Sequence, residues 1–157
     1  MELSKSVMVA IGTLGFAFSA NVYASNDKEP YTQETLRADL AKPFITTSLD
    51  GEPTAFFVQM KNGKAAEITP VAPPRSPNLT IDLVERKDDS TIVKVWSSLP
   101  GKIKYDLHIS GDDETYVYTS SCPLTEDGGT YEHWPLEITW FAISNIRQVE
   151  DDQSTCE

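Results

Sequence analysis

Residues 79–109 read LTIDLVERKDDSTIVKVWSSLPGKIKYDLHI, and this stretch decides the fold class. Leu79, Ile81 and Leu83 alternate with Thr80 and Asp82, while Ile103, Tyr105, Leu107 and Ile109 alternate with Lys102, Lys104, Asp106 and His108. A period of two sends successive side chains to opposite faces, so each run is a half-buried antiparallel strand. Between them Thr91 to Ser97 carries Ile92, Val93, Val95 and Trp96, bracketed by the turn clusters Asp88-Asp89-Ser90 and Leu99-Pro100-Gly101.

The pattern extends in both directions. Upstream, Phe44 to Leu49, Thr54 to Met60 and Ala65 to Thr69 read as strands. Asp50-Gly51-Glu52-Pro53 separates the first two, and Asn62-Gly63 joins the last two as a hairpin, because both residues tolerate the positive φ of a type I′ turn. Residues 70–77 hold four prolines in eight positions and are neither a central strand nor a helix. They read as a crossover inside one domain of residues 43–157, in preference to an interdomain linker or a proline-recognition ligand. Downstream, a turn from Ser110 to Glu114 leads to a strand from Thr115 to Ser120, and a last strand runs from about Glu137 to Arg147. His133 and the Gly128-Gly129 pair fall in a polar loop on this reading. About seven or eight strands with frequent turns predict an all-β antiparallel β-sandwich of immunoglobulin-like architecture. Trp96 precedes both cysteines, so the Cys-Trp-Cys order of antibody domains is absent. Residues 25–42 are polar, with Leu36 and Leu40 on one face of a short helix from about Tyr31 to Ala41, or of a loosely ordered arm.

Residues 1–24 have the pattern of a secretory signal peptide: Lys5, an apolar run from Ser6 to Ala20, then Val22 and Ala24 before a mature start at Ser25. The apolar run falls short of the ~20 residues that a spanning helix needs. A periplasmic or secreted protein without a membrane anchor after cleavage is expected. In such a compartment Cys122 and Cys156, the only cysteines, are expected to pair. The bridge would close a loop of about 35 residues and stabilise the fold by roughly 3 to 4 kcal/mol in the chain-entropy model. A nucleophilic Cys122 activated by His108 or His133 is the alternative, but the stretch 119–123 offers no cation to lower the thiol pKa.

The 157 residues carry 13 Lys plus Arg against 24 Asp plus Glu, for a formal charge of −11. With no basic run longer than Arg86-Lys87, nucleic acid is not an expected partner. Residues 25–105 hold 11 acidic and 11 basic side chains, whereas residues 106–157 hold 12 acidic side chains and Arg147 as their one basic residue. The excess negative charge therefore forms an acidic final third.

Enzyme motifs are sparse. The two histidines lack metal-ligand spacing, no GxSxG elbow or glycine-rich phosphate loop occurs, and Gly111-Asp112-Asp113-Glu114 lacks the spacing of a calcium loop. No cofactor or metal is expected. Aromatic residues give the better surface candidates. Tyr116 and Tyr118 share one strand face, and Tyr131, His133 and Trp134 follow the Gly-Gly turn. Together with Asp112, Asp113 and Glu114 they are the predicted partner-binding residues. The function expected from them is a non-enzymatic exported binding module for a protein with a basic surface, such as an inhibitor or immunity protein against a basic hydrolase. The competing reading is a small carbohydrate-active or metal-assisted enzyme using His108 and His133.

Overall fold

The computed structural model describes residues 30–150 apart from 52, 53, 73 and 120. The expected signal peptide, the mature start and Cys156 lie outside the described residues. In chain order the elements are β1 (Tyr31–Thr32), α1 (Gln33–Asp39), β2 (Phe44–Ser48), β3 (Ala55–Lys61), β4 (Lys64–Pro70), β5 (Leu79–Lys87), β6 (Ser90–Ser97), β7 (Ile103–Ser110), β8 (Thr115–Thr119), β9 (Gly128–Trp134) and β10 (Trp140–Gln148).

The turns form where their residues allow positive φ. Asn62 and Gly63 sit at φ 52° and 72° between β3 and β4, and Asp88 and Asp89 at 51° and 59° between β5 and β6. Each pair therefore closes a tight antiparallel hairpin. After the proline-rich crossover, Asn78 bonds to both polar groups of Val58: its amide donates to the Val58 carbonyl at 2.9 Å and its Oδ1 accepts from the Val58 N–H at 2.7 Å. That pair of bonds takes the place of a neighbouring strand where β5 enters beside β3.

The strands follow the order β1-β8-β7-β10-β4-β3-β5-β6-β9, with β2 also on β10. β10 and β4 share one register pair, Arg147 with Lys64. Either side of that narrow joint the sheet forms two halves that close on one core. The half containing β7 and β10 contributes Ile103, Tyr105, Leu107, Ile109, Phe141 and Ile143, and the half containing β3, β5 and β6 contributes Phe56, Val58, Leu79, Ile81, Val93 and Val95. Trp134 stands edge-on to Phe141 at 5.4 Å and donates from Nε1 to Thr119 Oγ1. The fold is an all-β antiparallel sandwich; this strand order does not establish an immunoglobulin-like one.

Two expectations need correction. Residues 128–134, expected as loop, form β9, which pairs with β6 from Thr91–Trp134 to Ser97–Gly128. The polar residues Thr130 and Glu132 occupy its inward positions, so apolar alternation does not reveal it. Leu83 was expected to face the core with Leu79 and Ile81, but it is 36% exposed beside a register shift between Leu83 and Glu85. The shift breaks the period of two.

The N-terminal segment adds a second, smaller core outside the sandwich. Thr32 caps α1 through Oγ1, which accepts from the Thr35 N–H, and the Leu40 N–H closes the last turn on the Leu36 carbonyl. Leu36 and Leu40 lie on one helix face and bury against Tyr116 and Ala142, with Tyr31, Phe44 and Trp140 packed at the margin. This arm covers the outer face of β8 and β10.

Candidate functional site

Because β7 sends Ile103, Tyr105, Leu107 and Ile109 into the core, Asp106 and His108 face outward. Register places Tyr118 of β8 and Ala142 of β10 on either side of His108, and Ser144 beside Asp106. An outward histidine would ordinarily be solvated. Here the arm crosses above it: the Tyr31 ring stands edge-on to His108 at 5.3 Å and the Tyr118 ring at 5.4 Å, leaving His108 6% exposed. The expected polar strand face is therefore a covered one.

Between arm and sheet a cleft of about 160 Å³ is lined by Tyr31, Asp39, Leu40 and Ala41 on one side, and by Asp106, His108, Tyr118 and Ser144 on the other. Asp106 is already engaged: its Oδ1 accepts from Arg147 Nη1 and its Oδ2 from Asn145 Nδ2, both at 2.9 Å. Burial, and then the Asp106 charge, push the Tyr118 phenol up, while Arg147 opposes them. Asp39, the last residue of α1, is exposed at the rim and forms no ion pair among the described residues. Two carboxylates and two phenol rings make the cleft receptive to positive charge.

The predicted partner-binding residues divide into three groups. Tyr116 and Trp134 are core side chains, 0% and 3% exposed. Tyr116 donates its hydroxyl to Asp113, and burial together with that bond drives its phenol pKa well up. Asp112 and Asp113 build the β7–β8 turn. Asp112 Oδ1 accepts from the Thr115 and Glu114 N–H groups, both at 2.9 Å, and these bonds hold its carboxyl below the usual range. Asp113 also accepts from Gln33 Nε2, tying the turn to α1. The third group reaches solvent: Glu114, Tyr131 at 64% and His133 are exposed, and Tyr118 is half-buried in the cleft.

His108 and His133 do not converge. His108 faces outward from β7, whereas His133 faces outward from β9 on the opposite half of the sandwich, since its neighbour Trp134 points into the core. Among the described residues no three His, Cys, Asp or Glu side chains gather as a metal site. Cys122 is not a free thiol; its expected partner, Cys156, lies outside the described residues. Beside Cys122, Glu132 Oε1 accepts from the Cys122 N–H and the Tyr105 hydroxyl, both at 3.4 Å. Burial raises the Glu132 carboxyl pKa against these two bonds, and burial raises the Tyr105 phenol well above its ordinary value.

Sequence reasoning placed Asp106 and His108 on one strand face but missed Tyr31, Asp39 and Ser144 as their neighbours. The signal present was the Leu36–Leu40 spacing, which marks a helix needing an apolar surface without saying which one. No family model, curated protein or solved structure matches the chain. No described helix is long and apolar enough to cross a membrane.

Proposed function

We propose that the protein is an exported, non-enzymatic binding module that engages a basic protein, as an inhibitor of a cationic hydrolase would. The observation that carries this reading is the fate of Arg147. It is the one basic residue of the final third, and Asp106 engages it at 2.9 Å. Glu114, Glu126, Asp127 and Glu150 are exposed in the same third, so the solvent-facing charge carried by that third of the chain is negative. Opposite charge steers encounter and sets its salt dependence. The enzyme reading has less support, because it needs His108 and His133 in one site and they lie on opposite halves of the sandwich.

Export follows from the signal-peptide pattern of residues 1–24, and an oxidising compartment would hold a Cys122–Cys156 bridge. Intact mass of the secreted protein should correspond to a chain starting at Ser25 and lacking two thiol hydrogens. A mass with both thiols free would exclude the bridge.

The function is tested by calorimetric titration with a basic lysozyme and other purified basic hydrolases at low and high salt. The expected result is a 1:1 complex with at least one of them, weakened about tenfold or more between ~20 and ~300 mM salt. Absence of binding to every basic protein, or affinity indifferent to salt, would overturn the reading.

A further inference from the structure

We propose that the cleft between the N-terminal arm and β7 is a receptor for a single guanidinium group, filled in the complex by an arginine side chain of the basic partner. The inference rests on the binding-module reading for that partner, but the chemistry of the cleft stands by itself. At about 160 Å³ the space is well below the roughly 300 Å³ at which small-molecule pockets begin, so it suits a side-chain head group. Its charged lining consists of Asp39 and Asp106, which disfavours an anion. The Asp106 charge is offset by Arg147, so Asp39 supplies the attraction that is not yet satisfied.

The rings supply the selectivity. Tyr31 and Tyr118 both border the cleft, and each makes an edge-to-face contact with the His108 ring. Guanidinium is planar and weakly hydrated and stacks on aromatic faces, whereas a compact ammonium keeps its water more strongly. The two walls belong to different parts of the chain. Tyr31, Asp39, Leu40 and Ala41 come from the arm, and Asp106, His108, Tyr118 and Ser144 from the sheet. A ligand that bridges them favours the docked arm, because whatever binds only one arrangement shifts the population toward it.

The test is an aromatic NMR titration of the intact protein with Nα-acetyl-arginine amide and with its neutral isostere, Nα-acetyl-citrulline amide. The arginine probe should shift the ring signals of His108, Tyr31 and Tyr118 saturably, with a Kd of about 1 to 10 mM. Asp39→Asn should weaken it about three- to fivefold, and Tyr118→Leu by a similar factor. Asp39 is exposed at a helix end, so its variant should fold normally. The citrulline probe should give no saturable shift. Equal response to both probes, or shifts confined to other residues, would overturn the receptor.

The basic-protein titration separates the two readings. A basic partner that binds D39N and wild type equally, with the cleft signals silent, removes the receptor and leaves the binding module. An arginine probe that binds in the cleft while no basic protein binds keeps the receptor for small guanidinium compounds and removes the protein partner.

Discussion

Leu36→Ala should release the N-terminal arm without unfolding the sandwich. Leu36 is completely buried, yet its neighbours Leu40, Tyr116 and Ala142 form a cluster separate from the main core. Cutting the side chain back to Cβ removes three carbons from a fully buried site, a loss of about 2 to 3 kcal/mol. Against that stand few other attachments: the register pairs Tyr31–Tyr116 and Thr32–Thr115, the Gln33–Asp113 hydrogen bond, the burial of Leu40 and the edge contact of Tyr31 on His108. Net hydrogen bonds contribute only about 1 kcal/mol each, so the loss rivals everything else that holds the arm down. Hydrogen exchange read by mass spectrometry should show peptides covering residues 31–40 exchanging roughly 30- to 150-fold faster, while strands β5, β6 and β7 keep their protection. Tm should fall by no more than about 2 °C. If arm and sandwich were one cooperative unit, Tm would instead drop by roughly 6 to 9 °C with all peptides losing protection together, and the separation into two cores would be refuted.

Further expectations concern the sandwich itself. Glu132 has a raised carboxyl pKa in the fold, so its contribution to stability is present below the ordinary carboxylate pKa and lost as pH rises through the raised value. Melting of wild type and Glu132→Gln across pH 3 to 8 should therefore show the wild type losing ground to the variant with rising pH; a constant gap would exclude Glu132 as the titrating group. Trp134→Ala should cost about 3 to 5 kcal/mol in urea denaturation, as a buried aromatic does. Tyr131→Ala, three positions away but exposed, should stay within about 0.5 kcal/mol, and similar costs for the two would contradict their placement on opposite faces of β9. Asn78→Ala removes both bonds to Val58 and should cost about 2 kcal/mol; a change below about 0.5 kcal/mol would mean that water replaces them.

The sequence by itself determined the strands whose apolar residues alternate, the Asn62-Gly63 hairpin, the helical spacing of Leu36 and Leu40 and the acidic final third. All of these are local: a period, a turn residue or a charge count needs no knowledge of what lies opposite. Tertiary structure decided the rest. β9 was hidden because Thr130 and Glu132 face inward, and a polar inward residue becomes acceptable only once Tyr105 and the Cys122 N–H are there to bond with Glu132. Tyr116, Tyr118 and His108 occupy the outward face of their strands, which the alternation identifies; that this face is covered depends on where the arm docks, and nothing in residues 30–42 names its receiving surface. The same docking creates the cleft, since its walls lie more than sixty residues apart in sequence and meet only when Leu36 and Leu40 bury against Tyr116 and Ala142.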